Sequence, residues 1–198
     1  MSTRKPKPAA DTSEQILDLA ENLIQTMGYS AFSYQDISSA LGITKPSIHY
    51  HFPSKAELGT AVIERYAGRF GEALAAIEQD QSKSSVAMLE RYFEPFLQFS
   101  KTPNKVCLCG ALAGEMMALP PPMHDRADRF FKDHHAWLTA ILKRGADRGE
   151  FRMSAPVAKT ARMIFSALQG ALLVKRTTGD ASEVRDVVAA IKAQLAAA

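Results

Sequence analysis

Leu41-Gly42-Ile43-Thr44-Lys45-Pro46-Ser47-Ile48-His49-Tyr50-His51-Phe52-Pro53 reads as a helix end, a tight turn and a second helix that stops early. Gly42 supplies the turn and Ile43 plugs the seam. Thr44 caps a helix that tolerates Pro46 in its first turn and must end before Pro53. A connection of about four residues lets two helices cross steeply, as in a helix-turn-helix. Ile48 and Phe52, four apart, face inward, which leaves Lys45, Ser47, His49, Tyr50 and His51 toward solvent. So short a polar helix does not stabilise itself, and its donor-rich surface suits a DNA major groove.

Outward from this stretch the pattern stays helical. Ser33 and Asp36 open a short helix with Ile37, Ala40 and Leu41 inward. A first helix is bounded by a Thr12/Gln15 capping box and by Gly28 as a left-handed stop. Ser54 and Glu57 form another capping box, starting a long helix to about Gln79. After a polar break at 81–85, apolar period resumes from Val86, with Pro95 expected to kink it. A short apolar helix from Cys107 to Leu119 runs into Pro120-Pro121-Pro122. Three longer helices follow, about Met123 to Arg148, Pro156 to Thr178 and Ser182 to the end. Alternating β-branched runs are absent, so the expected fold is all-α with about nine helices. The expected division is a flexible basic arm at 1–11, a helix-turn-helix domain at 12–55 and a larger helical domain at 56–198.

The chain has 198 residues, 46% hydrophobic and 23% charged, enough for a sizeable core in one or two domains. The longest apolar run, Val106 to Gly114, is short of a membrane span. The N-terminus lacks the apolar segment of a secretory signal, so a cytoplasmic location and no membrane partner are expected. The two cysteines, Cys107 and Cys109, make neither a disulfide framework nor a zinc site. Net charge is +3, yet residues 1–60 carry five positive charges against six negative ones. A DNA argument therefore rests on where charges sit and not on their sum.

The run Phe32 to Ile37, then Ala40 to Ile43, then Lys45 to Phe52, then Ser54 to Leu58, resembles the signature of the TetR family of bacterial regulators. The resemblance implies that Ser33, Tyr34 and Gln35 approach phosphates, and that Lys45, Ser47 and Tyr50 touch base edges or nearby backbone. It implies that His51 and Lys55 grip phosphate, with Thr44 on the same surface. His49 stands where the family usually has tyrosine. The implied function is a ligand-responsive repressor, a homodimer on a palindromic operator of double-stranded DNA, released by an apolar or electrophilic small-molecule inducer and using no cofactor.

In such a protein the later helices hold ligand and partner. Val157, Ala161, Ile164, Phe165, Leu168, Ala171 and Leu172 form a broad stripe read as part of a four-helix-bundle seam with a partner copy, although an intramolecular core needs the same pattern. Phe96, Phe99, Met116, Phe131 and Trp137 are candidates for an apolar cavity, with His134 orienting a ligand; each also reads as plain core. Cys107 begins a Cys-Leu segment similar to that of a TetR subgroup responding to electrophiles, with Lys175 as the cation that would lower its pKa; a small buried hydrophobe is the alternative. A metal-dependent hydrolase using His124, Asp128 and His135, on nearly one helix face, is the competing function. No His-Glu-x-x-His motif, phosphate-binding glycine loop or nucleophile elbow accompanies those residues. No catalytic or metal-binding residue is therefore assigned.

Overall fold

The computed structural model describes residues 11–79 and 82–197. Apart from Asp11, the expected basic arm lies outside the described residues. Among those described there are nine α-helices: α1 (Thr12–Met27), α2 (Tyr34–Leu41), α3 (Lys45–His51), α4 (Lys55–Gln79), α5 (Ser85–Lys101), α6 (Leu108–Ala113), α7 (Pro121–Asp147), α8 (Val157–Thr178) and α9 (Ser182–Leu195). A 3-10 turn covers Met116–Ala118, where a longer sixth helix was expected. The only β feature among them is an isolated bridge, Phe151 to Ala196.

Local chemistry sets most boundaries. Ser33 and Asp36 form a reciprocal capping box, and Ser54 and Glu57 another, each satisfying helix N–H groups that have no intrahelical partner. Thr44 Oγ1 accepts from Ser47 N at 3.3 Å, and Gly42 closes α2 in the left-handed conformation at φ 66°. The cap of α1 is Asp11 and not Thr12: its carboxylate accepts from Ser13 N, so the helix starts one residue earlier in register.

The first three helices close over Ile16, Ala20, Ile24, Ile37 and Ile48, all fully buried. Ala40, expected inward, is exposed, because eight residues of α2 present too narrow a face to bury three positions. From this unit α4 runs on for 25 residues, about 37 Å at 1.5 Å per residue, into the larger helical layer. Ion pairs fasten it on two sides. Arg65 meets Glu14 and Asp18 at 2.8 Å each and Glu21 at 3.2 Å; Arg69 takes Glu21 at 2.5 Å, and Glu64 pairs with Arg126 of α7.

Gly28 does not act as the expected left-handed stop. At φ 99° and ψ 162° it turns the chain into an extended loop, and a Cβ there would collide with the Glu115 carboxylate. That carboxylate accepts from Tyr29 N and Ser30 N, both at 2.8 Å. The turn after α6 thus holds the loop that leads into α2.

In the larger layer the apolar stripe of α8 is intramolecular core: Ala161, Ile164, Phe165, Leu168, Ala171 and Leu172 are buried, facing α7 and α9. By length and composition alone α8 is apolar enough to cross a membrane. Its opposite side leaves Met163, Leu173 and Val174 exposed. Lys175 is buried among this core, and its ammonium is held by the carbonyls of Phe99, at 3.1 Å, and Thr102. It therefore caps the C-terminus of α5, where unsatisfied carbonyls carry partial negative charge. Burial lowers its pKa.

Lys175→Met keeps the stem and leaves the Phe99 and Thr102 carbonyls with only their backbone donors, the N–H groups of Thr102 and Lys105. The urea midpoint should fall with m unchanged, corresponding to about 1–3 kcal/mol.

Candidate nucleic-acid interface and ligand cavity

On α3, Ile48 is fully buried and anchors the helix, while Tyr50 is 84% exposed and Lys45 and His49 also face solvent. Ser47 and His51 are half-buried at the edge of that face. Thr44 is exposed, its hydroxyl engaged in the cap. The ring of His49 lies 4.8 Å from that of Tyr34, and its Nδ1 is 3.0 Å from the carbonyl of Pro53. Because a carbonyl only accepts, Nδ1 carries the proton and Nε2 is the atom left for an outside partner. The substitution of histidine for the expected tyrosine thus exchanges a hydroxyl for a ring nitrogen held in one tautomer.

Four expected contacts take a different form. Tyr34 is buried, and its hydroxyl donates to Phe52 O at 2.8 Å, tying α2 to the end of α3. Burial, helped by the Glu57 charge, pushes its pKa up to about 12, so it remains a neutral donor. The Ser33 hydroxyl donates to Asp36 at 2.8 Å and accepts from Gln35 N, so it serves the capping box. Gln35 is exposed, its amide turned to Ser39. Lys55, expected on phosphate, is turned inward: its ammonium donates to Phe32 O and sits 4.5 Å over the Tyr29 ring and 4.4 Å over the Phe32 ring. Burial lowers its pKa. The aromatic pair before α2 attracts this cation more effectively than solvent does, a preference invisible in a local reading.

Beyond the interface lies an aromatic cluster between α4, α5, α7 and α8. His134 is at its centre, with ring centres of Phe130, Phe165 and Phe70 at 4.3, 5.0 and 5.2 Å. Its Nδ1 is 2.9 Å from the Tyr92 hydroxyl, and its buried Nε2 has no partner. Burial, then the neighbouring His135, depresses the pKa of His134 to about 3. Tyr92 stacks on Trp137 at 5.1 Å.

Three clefts open around this core. One of about 380 Å³ lies between the second half of α4 and α5, against Phe70, Leu74, Tyr92 and Pro95. A second, about 310 Å³, lies between the start of α5, Phe151 and the end of α9. A third, about 280 Å³, shares Phe70, Ala73 and Pro95 with the first and reaches α1. Of the expected ligand residues only Phe99 lines one of them. Phe96, His134 and Trp137 are buried in the aromatic core, with Phe131 packed against it and Met116 half-buried in the 3-10 turn.

The thiol expectation is corrected too. Cys107 is 1% exposed and accepts a hydrogen bond from the Tyr66 hydroxyl at 3.5 Å, while Lys175 is committed to α5. Burial also raises the pKa of Cys109. Both sulfurs are buried, so neither is accessible to an electrophile.

Residues 16–62 match the model of bacterial regulatory proteins of the tetR family, and residues 85–191 match that of the tetracyclin repressor-like C-terminal domain. The chain belongs to the tetR family. A TetR transcriptional regulator from Legionella pneumophila is 33% identical, superposes with a TM-score of 0.87 and covers 96% of this chain and 100% of its own. A TetR-family regulator from Agrobacterium tumefaciens is 30% identical with a TM-score of 0.88, covering 93% and 97%. The HTH-type transcriptional repressor DhaR of Mycobacterium sp. (strain GP1) is 22% identical over 160 residues, 81% of this chain and 80% of its own.

As a tetR-family member the protein is a ligand-responsive transcriptional regulator, and the hydrolase alternative finds no support. Asp128 is paired with Lys132 at 2.5 Å, and no group of three or more potential metal ligands occurs among the described residues. Local reading missed Glu115; the only signal for it was that an acidic residue ends the apolar run at 106–114.

Tyr50→Ala or Lys45→Ala should cost about 1–3 kcal/mol of preference for specific over random DNA. Lys55→Ala should instead lower thermal stability by about 1 kcal/mol, read by thermal melts, and leave the salt dependence of DNA binding unchanged; competition titrations at several salt concentrations read the DNA preference and the salt dependence. A further outcome concerns His134. The unfolded chain gains its proton near pH 6.5 and the folded chain only near 3. As pH falls between those values His134 therefore costs about 1.4 kcal/mol of stability per unit. His134→Leu should flatten that part of the pH profile of urea midpoints.

Proposed function

We propose that the chain acts as a homodimeric repressor in the cytoplasm, with residues 12–55 as its DNA-binding unit and 56–198 as its ligand-binding and dimerisation unit. The observation that carries this reading is α3: Ile48 and Phe52 lock one side, and the donor-bearing side stands in solvent with Tyr50 84% exposed. Two such helices, held apart by a two-fold axis, fit successive major grooves of a palindromic operator. The surface for the second copy is the outer side of α8, Met163, Leu173 and Val174, beside the exposed alanines 189, 190 and 193 of α9. We assign the protein no enzymatic activity and no cofactor.

The inducer in this reading is a small, largely apolar molecule held without a covalent bond, since both thiols are sealed. It would occupy the adjoining clefts beside α4, which share Phe70, Ala73 and Pro95, and favour a placement of α4 that misfits the operator. Whatever stabilises the misfit form weakens DNA binding, and DNA weakens inducer binding by the same factor.

Selection of bound fragments from the source genome, followed by footprinting, tests this reading. The expected footprint is two-fold symmetric, on a species of twice 21.6 kDa by sedimentation. Val174→Asp should yield a folded monomer with operator affinity reduced at least about tenfold, because two half-sites then bind independently. A monomer with undiminished operator affinity would overturn the proposal.

A further inference from the structure

The cleft that reaches α1 differs from the other two in its polar groups. Its apolar wall is Tyr66, Phe70, Pro95 and Phe99. Gln25, in the last turn of α1, is 1% exposed, and its Oε1 is buried with no hydrogen-bond partner. An acceptor left unpaired in a buried position costs free energy that a donor from a ligand would recover. Across the cleft are two cations, Arg69 and Lys105, against one carboxylate, Glu21. Glu21 is committed to Arg65 and Arg69, whereas Lys105 has no ion-pair partner among the described residues. Lys105 is placed by the turn after α5, where Asn104 adopts φ 56° and Lys105 N bonds Thr102 O at 3.4 Å. The buried Lys175 holds that same Thr102 carbonyl.

We propose that this cleft binds a small amphipathic acid. The carboxylate of the ligand pairs with Lys105 at the mouth, its ring or chain lies on Tyr66, Phe70 and Phe99, and a hydroxyl or N–H donates to Gln25 Oε1. This deepens the ligand-responsive reading above and rests on it. It also says where the ligand acts. The Gln25 carbonyl accepts from Val106 N at 3.2 Å, joining α1 to the segment that enters α6. A ligand seated on the Gln25 side chain bears on α1 two residues before its end, next to the loop that Glu115 holds.

Calorimetric titration of the full chain with three matched probes tests the site. Indole-3-acetate has acid, ring and N–H; indole-3-acetamide lacks the charge; 1-naphthaleneacetate lacks the N–H. Indole-3-acetate should bind about tenfold more tightly than either of the others. Lys105→Met, at a half-buried edge position, should erase the preference over the amide, and Lys105→Glu should reverse it. Gln25→Leu should erase the preference over 1-naphthaleneacetate while retaining the preference for acid over amide. Equal binding of acid and amide, a preference that survives Lys105→Met, or no saturable binding of any probe at millimolar concentration would each overturn the proposal. Operator binding by the unliganded protein separates the two readings. Protein that binds operator without preferring the acid refutes the acid site alone. Protein that prefers the acid but binds no operator refutes the regulator and leaves the site standing.

Discussion

Two backbone N–H groups, those of Tyr29 and Ser30, lie in a loop with no helix or strand to receive them, and a single carboxylate some 85 residues away accepts both. Glu115 is thereby the fixed point between the reading head and the rest of the molecule. Gly28 leaves the room for it, and Lys55 sits on the rings of Tyr29 and Phe32 close enough to help hold its charge. Burial opposes the charge, but hydrogen bonds from the Ser30 side chain and from the Ser30 and Tyr29 N–H groups, helped by nearby Lys55, outweigh it, and the pKa falls below the usual range. Loop 28–33 sets the entry angle of α2, and α2 sets α3 through the bond from Tyr34 to Phe52. The orientation of the recognition surface is therefore determined by contacts that never touch DNA.

The same logic runs through α4. One helix begins under α3 and ends beside the clefts, so it cannot tilt at one end without tilting at the other. Its fastenings are unequal in kind. Toward α1 they are charge pairs around Arg65 and Arg69, partly open to solvent and individually weak. Toward α7 they are the ring contacts of Tyr66 and Phe70 with Phe130, beside the pair of Glu64 with Arg126.

How far this architecture was legible in sequence depended on the range of the interaction. Capping boxes at Ser33 and Ser54, the turn at Gly42 and the inward pair Ile48 and Phe52 are local, and the structure has them where the pattern placed them. Side chains whose direction is chosen by distant partners were misread. Tyr34 and Lys55 lie within the most recognisable stretch of the chain, yet Phe52 and the aromatic pair at 29 and 32 turn them inward. Lys175 was matched to Cys107 as its cation, but three-dimensional packing delivers it to α5. The ligand residues fared worst, because Phe and Met at helical spacing look alike whether they line a cavity or fill a core. The groups that distinguish the α1 cleft, Gln25 and Lys105, acquire meaning only when α1 and the turn after α5 are brought together.

The brackets on α3 limit what the protein can read. Gly42 and Pro46 prevent the helix from starting earlier, and Pro53 prevents it from running on, so seven residues span about 10 Å. At 3.4 Å per base step that window covers about three base pairs, and in the proposed dimer two copies cover about six. Six fixed positions recur by chance about once in four thousand sites, far too often against the roughly million competing sites of a small genome. In the proposed dimer the remaining selectivity falls to features outside α3, among them the stiffness and groove width of the base pairs between and beside the half-sites. The stops that make the recognition helix compact thus shift much of the address into the mechanical properties of the DNA itself.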